Sequence, residues 1–361
     1  MKMIEVLKTT DFIPYVSIFI IALFLSLATT PLAIKIGLKF KIIDVPDKRK
    51  VHKGIMPRSG GIAVFLTFFI SYILLEYLYD PFTNPIFAHF FVCCAMIFGL
   101  GLMDDKFNLP AKTKFAVQTL IAIYFAINVY SVKVIHLPFL DNPLHLGLFA
   151  IPFTVLWIVG ITNAFNLIDG LDGLASGVAG ISSLTFFVVS LFLGNPSAAF
   201  LSLILSGALF GFLFFNSHPA KVFLGDSGSL FIGFFMAAIS VWELKQIAVI
   251  SFITPILIFF IPISDTLYAI VRRKIKKEPI FQPDKFHLHH RLLSLGFSHR
   301  TTVWIIYLFC IFFALGAFAS VKLAVEFSLF LLVFYLVFFQ LFASKIGMFP
   351  SLRKKKTKEA K

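Results

Sequence analysis

The sequence predicts an all-α, polytopic membrane protein, and three observations support that prediction. Hydrophobic residues make up 59% of the 361 residues, and Phe alone occurs 48 times. The mean hydropathy is +0.92. The apolar residues come in continuous runs that are as long as a membrane-spanning helix. Soluble domains are only about 45–50% apolar, and a membrane β-barrel would show short segments of alternating polarity instead.

The apolar runs predict about eleven transmembrane helices in a single bundle. The first run is too long for the core of a signal peptide and lacks a clear cleavage site, so we expect it to be retained. The sequence therefore predicts one transmembrane domain over 1–345 and a basic cytoplasmic tail over 346–361. The predicted spans are 13–36, 60–79, 86–103, 114–131, 148–168, 175–193, 197–215, 228–242, 247–270, 302–320 and 326–344.

The basic residues predict the orientation of this bundle. Lys and Arg total 32 against 18 Asp and Glu, which gives a formal net charge of +14. With the N-terminus outside, most of the Lys and Arg fall in loops that face the cytoplasm, as the positive-inside rule requires. The C-terminus is then cytoplasmic. We interpret the positive charge as setting the membrane orientation and attracting anionic lipid head groups, so we expect no nucleic acid as a partner.

The stretch Asn163–Gly177, NAFNLIDGLDGLASG, interrupts two apolar runs with amides and carboxylates. Such residues are costly in a bilayer unless they meet water, a metal or a ligand. Capping of the next helix by Asp172 would explain one of the polar side chains but not the set. Four polar side chains recur every three residues, which keeps them on roughly one face of a helix or turn: Asn163, Asn166, Asp169 and Asp172.

Two further acidic motifs lie at predicted helix ends. Asp104 and Asp105 are adjacent, and their negative charges repel each other unless a cation or a proton neutralises them. Lys112 and Lys114 follow them in the sequence. Asp226 lies between glycines and serines at the start of a span, where a carboxylate and exposed backbone amides suit a magnesium-bridged phosphate. An ordinary helix-end pair and a simple Ser/Asp cap are the alternatives.

A basic motif, DVPDKRKVHKGIMPRSGG, covers Asp44–Gly61. It contains three consecutive basic residues, then His52 and Lys53, and ends in a glycine pair that opens the second span. Basic side chains together with helix N-terminal amides suit a phosphate. The alternative is a positively charged cytoplasmic loop that contacts no ligand.

A histidine motif, FHLHHRLLSLGFSHR, lies in the longest predicted cytoplasmic loop and includes His287, His289 and His290. No cysteine or compact carboxylate partner completes a zinc site there. Phosphate contact or proton transfer fits these side chains better. The cysteines all lie in apolar runs, which argues against a disulfide framework: Cys93, Cys94 and Cys310.

With the predicted orientation, all five motifs face the cytoplasm. Together they supply carboxylates that could bind one or more Mg²⁺ ions and basic side chains that could bind phosphates. Enzymes that transfer phosphoryl groups use both. Asp265 in the ninth span is a further carboxylate, which either pairs with Arg272 or Arg273 or belongs to the site. A dedicated transporter more often carries its polar groups at mid-membrane in broken helices.

In this order, the five motifs resemble the polyprenyl-phosphate N-acetylhexosamine-1-phosphate transferases, glycosyltransferase family 4, which begin bacterial envelope glycans. The resemblance runs from about Asp44 to Gly296. The H-x-H-H form, with Leu288 breaking the run and Arg291 following it, resembles the branch that transfers N-acetylglucosamine 1-phosphate and primes teichoic acid or O-antigen. The peptidoglycan branch, which transfers phospho-N-acetylmuramoyl-pentapeptide, is the alternative. Asn108 departs from the family, in which many members have a third Asp.

The resemblance implies a catalytic domain in the inner (cytoplasmic) membrane. Its implied partners are a UDP-sugar, undecaprenyl phosphate and membrane lipids, and its implied cofactor is Mg²⁺, with Mn²⁺ as a substitute. A phosphate oxygen of the lipid would attack the β-phosphorus of the UDP-sugar, which would give undecaprenyl-diphospho-sugar and UMP. The sequence leaves the oligomeric state open, a homodimer included.

The resemblance also implies residue roles. Asp226 and Asn166 would hold Mg²⁺, Asp104 or Asp105 would orient or deprotonate the lipid phosphate, and Lys114 would meet phosphate charge. The substrate-binding residues implied for the nucleotide and sugar are His52, Lys53, Asn163, Asp169, Gly170, Leu171, Asp172, Phe223, His287, His289 and His290.

Two other classes stay open on the sequence alone. One is a lipid or nucleotide-sugar transporter. The other is a membrane prenyl-transferring enzyme in which Asp104–Asp105 forms an aspartate-rich diphosphate site. That enzyme would need a second aspartate-rich motif of matching form, and DGLDG is a poor substitute.

Overall fold

The computed structural model describes residues 11–44, 54–79, 85–135, 143–246, 252–278, 286–323 and 325–348. These residues form a helical bundle with two short antiparallel ribbons, which are the one departure from the all-α prediction. In the first ribbon, β1 (Ile43–Asp44) pairs with β2 (Met56–Pro57). In the second, β3 (Val134–Ile135) pairs with β4 (Leu144–His145).

The helices alternate with short connections along the chain. In order they are α1 (Ile13–Lys39), α2 (Gly60–Tyr79), α3 (Ile86–Phe107), α4 (Ala111–Asn128), α5 (Ala150–Ile168), α6 (Leu174–Phe192), α7 (Pro196–Asn216), α8 (Gly225–Gln246), α9 (Ile253–Ile258), α10 (Phe260–Lys276), α11 (Leu288–Ser294), α12 (His299–Lys322) and α13 (Val325–Lys345).

Within the described residues, nine helices are long and apolar enough to cross a membrane. The prediction of a polytopic helical membrane protein is therefore confirmed. The predicted span 114–131 corresponds to α4, which is not among the nine and carries Lys112, Lys114 and Gln118.

The predicted span 247–270 is not one helix in its described part. The chain forms α9 and α10 instead, with the break at Phe259. Pro262 explains the break because it has no N–H to donate to the carbonyl of Ile258. Ser182 of α6 donates its hydroxyl to that carbonyl at 3.3 Å. Residues 247–251 lie outside the described part.

The helix at the centre of the bundle is α8, because 89% of its span is buried inside the protein. It packs against α3 and α5 along most of its length, and against α2, α6 and α7. Glycines allow this close approach: a Cβ on Gly61 of α2 would lie 2.2 Å from the amide of Gly228, and one on Gly101 of α3 would lie 2.5 Å from the carbonyl of Asp226. Small residues at helix crossings are the usual means of tight packing in membranes.

Helices α1 and α7 show the same packing on another side of the bundle. A Cβ on Gly211 would lie 2.4 Å from the carbonyl of Leu23, and Ser26 donates its hydroxyl to the carbonyl of Ala208 at 2.7 Å. The crossing holds α7 in place, and α7 leads through a short connection into the start of α8.

Candidate functional site

The start of α8 is held by a carboxylate from the end of α3. Asp105 accepts a hydrogen bond from the amide of Asp226 and another from the amide of Ser227, each at 2.8 Å. Its side chain is fully buried. Gly225 precedes this contact with φ +76, and a Cβ there would lie 2.7 Å from Asp105 Oδ2. Asp105 therefore occupies the position of a helix cap, and it places Asp226 beside α3.

Asp104 faces the start of α4 instead. It accepts a hydrogen bond from Lys114 Nζ at 2.5 Å and one from the amide of Leu109 at 2.7 Å. The same Lys114 Nζ lies 3.6 Å from Asp226 Oδ2, so one ammonium group bridges two carboxylates. The connection between α3 and α4 turns at Asn108, whose φ of +51 is a left-handed conformation that Asn tolerates well.

Arg58 is the second cation of this cluster, and it was absent from the predicted site residues. Its Nε lies 3.7 Å from Asp105 Oδ1 and its Nη2 lies 4.0 Å from Asp226 Oδ2. Burial alone would lower the pKa of Arg58, but the charges of Asp105 and Asp226 raise it above its ordinary value.

Backbone hydrogen bonds position this arginine. The amide of Phe223 donates to the carbonyl of Pro57 at 2.8 Å, and the amide of Gly60 donates to the carbonyl of Phe223 at 2.9 Å. The basic motif and the Asp226 motif are thus joined on either side of Arg58. The predicted residues His52 and Lys53 lie outside the described residues.

Asn166, at the end of α5, is brought directly to Asp226. Its Nδ2 donates to Asp226 Oδ1 at 2.6 Å and to Ser229 Oγ at 2.8 Å. Asn163, one turn earlier, points to a different helix: its Nδ2 donates to Gln118 Oε1 of α4 at 2.6 Å and to the carbonyl of Val159 at 2.8 Å. The predicted substrate-binding role of Asn163 has no counterpart in these contacts.

Asp169 follows the end of α5 and completes a group of four carboxylates. Among the described residues, no hydrogen bond engages its carboxylate. Burial, and then the negative charge of Asp226, raise the pKa of Asp169 to about 7, whereas Arg58 opposes the shift. Asp169 is therefore close enough to Asp226 and Arg58 for their charges to shift its pKa. We call Asp104, Asp105, Asp169 and Asp226, together with Lys114 and Arg58, the carboxylate cluster.

Asp172 lies at the other end of the same turn and has different neighbours. Its Oδ2 lies 2.8 Å from His218 Nδ1 and accepts the amide of Ala220 at 3.2 Å. A ligand atom of His299, at the start of α12, lies within 4.8 Å of those of Asp172 and His218. Neither histidine was among the predicted site residues, because they are distant from Asp172 in sequence.

The histidine motif forms the start of α11, and Asp265 of α10 holds it. Asp265 Oδ2 lies 2.8 Å from His287 Nδ1, and Asp265 Oδ1 accepts the amide of Leu288 at 2.8 Å. This contact decides between the two open alternatives for Asp265 in favour of the histidine motif. Arg272 instead donates to the carbonyl of Met348 at 2.8 Å.

His289 connects the histidine motif to the turn after α5. A Cβ on Gly170 would lie 2.5 Å from His289 Nε2, so any larger residue there would displace the imidazole. The imidazole is 2% exposed and neither of its nitrogens has a partner among the described residues. Burial, and then the neighbouring His290, lower the pKa of His289 to about 3. The ring is therefore neutral at physiological pH, and it packs against His290 with ring centroids 4.2 Å apart.

The remaining predicted residues lie around these groups. Leu171 is half-buried and packs on the hydrophobic core, and Phe223 is half-buried beside Arg58. Lys112 is exposed at the start of α4 and does not join the carboxylate cluster in the described contacts.

The donor set of the carboxylate cluster fits a hard divalent cation such as Mg²⁺. All its candidate ligands are carboxylate or amide oxygens, which Mg²⁺ prefers, and it contains no imidazole or thiolate. Within the described residues, three of the carboxylates lie within 4.0 Å of Lys114 or Arg58, and the charge of Arg58 also lowers the pKa of the fourth, Asp169. Asp226 is the most suitable ligand, because it is within reach of both cations and is only partly buried, with 20% of its side chain exposed. The same cations suit phosphate oxygens.

Comparisons with known proteins agree with this chemistry. Residues 87–243 match the family model described as "Glycosyl transferase family 4". A "Probable undecaprenyl-phosphate N-acetylglucosaminyl 1-phosphate transferase" of Bacillus subtilis is 41% identical over 331 residues, 91% of each chain. A "Decaprenyl-phosphate N-acetylglucosaminephosphotransferase" of Mycobacterium tuberculosis is 36% identical over 312 residues, 77% of this chain and 76% of the relative. An "Undecaprenyl-phosphate alpha-N-acetylglucosaminyl 1-phosphate transferase" of Thermotoga maritima is 35% identical over 277 residues, 77% of this chain and 80% of the relative.

Proposed function

The chain belongs to glycosyl transferase family 4, and we propose that it transfers N-acetylglucosamine 1-phosphate from UDP-N-acetylglucosamine to undecaprenyl phosphate, releasing UMP. The names of its relatives in Bacillus subtilis and Thermotoga maritima support this acceptor and this sugar. The observation that carries the proposal is the convergence of four carboxylates, Arg58 and Lys114 at the ends of five helices. Such a group is suited to binding a diphosphate together with a metal ion.

We propose that Asp226 and Asn166 hold Mg²⁺, with Mn²⁺ as a substitute. The ion would neutralise charge on the diphosphate of the sugar donor as the bond to UMP breaks. Arg58 and Lys114, both within 4.0 Å of Asp226 Oδ2, would bind the remaining phosphate oxygens. To do so, Lys114 would give up part of its hydrogen bonding to Asp104.

The two adjacent aspartates have different proposed roles. Asp105 uses both oxygens to hold the start of α8, so we assign it the positioning of Asp226. Asp104 accepts the amide of Leu109 through one oxygen and Lys114 Nζ through the other, and we assign it, together with Lys114, the orientation of the acceptor phosphate. Phosphate monoesters are already largely ionised at neutral pH, and the proposal therefore requires no obligatory general base.

The turn after α5 and the histidine motif would bind the rest of the donor. Asp172, Gly170, Leu171 and Phe223 are the proposed uridine contacts. His287, His289 and His290 are the proposed contacts of the sugar diphosphate, because His289 lies directly against Gly170. Asp265 would fix the ring of His287 through its 2.8 Å contact.

An apolar cavity of about 700 Å³ is the proposed site for part of the undecaprenyl chain. It lies between α10 and α13, and Trp157 of α5 also lines it. Leu267 and Val271 contribute apolar lining from α10, the helix that also carries Asp265. Leu267→Trp should raise the KM for undecaprenyl phosphate without changing the KM for the UDP-sugar. An unchanged acceptor KM would remove the cavity from the proposal.

We further propose the membrane arrangement expected from the charges: about eleven spans in the inner membrane, with the carboxylate cluster facing the cytoplasm. Lys112 lies beside this cluster, and His145 in β4 is at the opposite end of α4; both are exposed. A membrane-impermeant thiol reagent should label His145→Cys in intact cells and Lys112→Cys only after permeabilisation. The native cysteines are buried. The reverse labelling pattern would overturn the orientation.

The test of the proposed reaction is UMP release by purified protein with undecaprenyl phosphate, Mg²⁺ and a panel of UDP-sugars. We expect turnover with UDP-N-acetylglucosamine and little with UDP-N-acetylmuramoyl-pentapeptide. Preference for the pentapeptide donor would favour the peptidoglycan branch. Uptake of UDP-sugar into protein-containing vesicles without UMP release would favour a transporter.

A further inference from the structure

A second group of ionisable side chains lies outside the carboxylate cluster. Asp172, His218 and His299 come from three separate segments, and one ligand atom of each lies within 4.8 Å of those of the other two. Asp172 belongs to the turn after α5, His218 to the connection between α7 and α8, and His299 to the start of α12. We call these three residues the histidine–aspartate cluster.

Packing holds the two imidazoles side by side. The rings of His218 and His299 are stacked with centroids 4.2 Å apart and planes 18° from parallel. His218 Nδ1 is directed at Asp172 Oδ2 at 2.8 Å, and Arg300 donates its Nε to the carbonyl of His218 at 3.2 Å. The backbone at His218 is therefore linked to the start of α12.

One nitrogen of this cluster has no described partner although it is buried. His299 Nε2 is shielded from solvent and makes no hydrogen bond within the described part of the chain. A buried polar atom without a partner costs free energy, so such atoms are rare and call for an explanation. A missing ligand at this nitrogen provides one.

We propose that Asp172, His218 and His299 bind a zinc-class divalent metal ion. Two imidazole nitrogens and one carboxylate oxygen form a ligand set that Zn²⁺, Co²⁺ or Ni²⁺ prefers over Mg²⁺. Ligand atoms in a tetrahedral zinc site lie about 3.3 Å apart, given zinc–nitrogen distances of about 2.0 Å. A metal ion lies in the plane of each imidazole that binds it, so binding requires the stacked rings of His218 and His299 to rotate out of their near-parallel arrangement. The side chains of His218 and Asp172 are 37% and 17% exposed, which leaves access for the ion and for water as a fourth ligand.

The site would regulate the enzyme. Asp172 is also the proposed contact of the uridine, so this consequence depends on the proposed function. An ion held by Asp172 would occupy that contact and would fix the turn that carries Asp169 and Gly170. Zinc-class ions would then compete with the UDP-sugar, whereas Mg²⁺ would act only at the carboxylate cluster.

Metal uptake by the full-length protein tests the site without any need for activity. The protein would carry no polyhistidine tag and would be kept in excess Mg²⁺ during titration with Co²⁺, whose visible absorption reports nitrogen ligands in a tetrahedral site. We expect saturation at one equivalent, with displacement by Zn²⁺. His299→Gln and His218→Gln should each weaken binding at least about tenfold.

His145→Gln is the matched control, because His145 is an exposed histidine distant from the cluster in sequence. It should leave the titration unchanged. Elution volume and melting temperature would show that each variant is folded. Unchanged binding in both cluster variants, or no saturation at one equivalent, would overturn the site and indicate an adventitious ion only.

Enzyme kinetics test the regulatory consequence separately. Zn²⁺ should raise the KM for UDP-N-acetylglucosamine with little effect on kcat, and His299→Gln should abolish that rise. A KM that ignores Zn²⁺ despite stoichiometric binding would overturn the regulatory role. Metal uptake in a protein that proves inactive with every UDP-sugar would instead reject the proposed function and leave the metal site standing.

Discussion

The carboxylate cluster and the histidine–aspartate cluster are supplied by two ends of the same short turn, yet they have opposite chemistry. The pKa of Asp169 is shifted by neighbouring carboxylates and by Arg58, whereas Asp172 lies beside two imidazoles. Oxygen ligands with nearby cations suit Mg²⁺ and phosphates, and imidazoles suit zinc-class ions. The chemistry of each carboxylate in this turn therefore depends on the side chains that pack against it, and not on its position in the turn.

Replacement of Asp226 should have the largest effect, because it removes the proposed metal ligand of the carboxylate cluster. Asp226→Asn keeps the shape but removes the charge that would hold Mg²⁺, so kcat should fall about 10²–10³-fold. Asp11→Asn, which replaces an exposed acid at the start of α1, should leave kcat unchanged. UMP release at saturating substrates measures both. A fall of less than tenfold in Asp226→Asn would remove Asp226 from the metal site.

Arg58→Ala should have the next largest effect. It removes a guanidinium group that lies within 4.0 Å of both Asp105 and Asp226, so kcat/KM should fall roughly ten- to a hundredfold. Lys112→Ala is the matched control, because Lys112 is an exposed cation near the same helix ends. Equal effects of the two substitutions would mean that Arg58 contributes only general positive charge.

The raised pKa of Asp169 predicts a pH dependence of stability. Its pKa is about 7 in the folded protein against 3.8 for the free side chain. Asp169 therefore binds a proton on folding, and its contribution to stability is complete below about pH 4 and is lost as pH rises through about 7. Without divalent ions, the melting temperature should fall as pH rises from about 4 to about 7, and it should fall less in Asp169→Asn.

Thermal unfolding in detergent, followed at several pH values, measures this difference. Asp172→Asn serves as the comparison from the other end of the turn and should retain most of the slope, because the charge of Asp172 is the smallest of the effects that shift the pKa of Asp169. Identical slopes for unmodified protein and Asp169→Asn would contradict the account of Asp169.

Asn163→Ala should have the smallest effect and would sharpen the boundary of the site. The side chain bonds Gln118 and the carbonyl of Val159, so its loss should cost about 1 kcal/mol of stability. The KM for the UDP-sugar should stay within about twofold, since ground-state binding is untouched. A tenfold rise in that KM would instead support the substrate-binding role predicted from the sequence.

Much of the fold could be predicted because membrane helices are read directly from long apolar runs. The same rule is less informative where polarity or proline interrupts a run: α4 is a helix as predicted but is not among the nine apolar helices, and the described part of the predicted span 247–270 forms two helices, α9 and α10. The five polar motifs were predictable for a related reason, since charged residues among apolar ones are rare and costly.

The partners within the site could not be predicted in the same way. Asp104 and Asp105 are adjacent in sequence, but α3 directs one to Lys114 and the other to the start of α8. Arg58 is one of several basic residues in its motif, and only the backbone hydrogen bonds of Pro57 and Gly60 with Phe223 position it at the site. His218 and His299 lie far from Asp172 along the chain. Each of these depends on long-range packing, which local sequence patterns do not encode.

The most direct test of the carboxylate cluster as a sugar-phosphate transfer site is the fate of the β-phosphorus. The protein would be incubated with undecaprenyl phosphate, Mg²⁺ and UDP-N-acetylglucosamine that is radiolabelled at the β-phosphorus, and the lipid fraction would be counted. We expect the label to enter the lipid with one UMP released per label, and Asp226→Asn to slow the transfer about 10²–10³-fold. Label that stays in the aqueous fraction while the sugar enters the lipid would contradict this expectation.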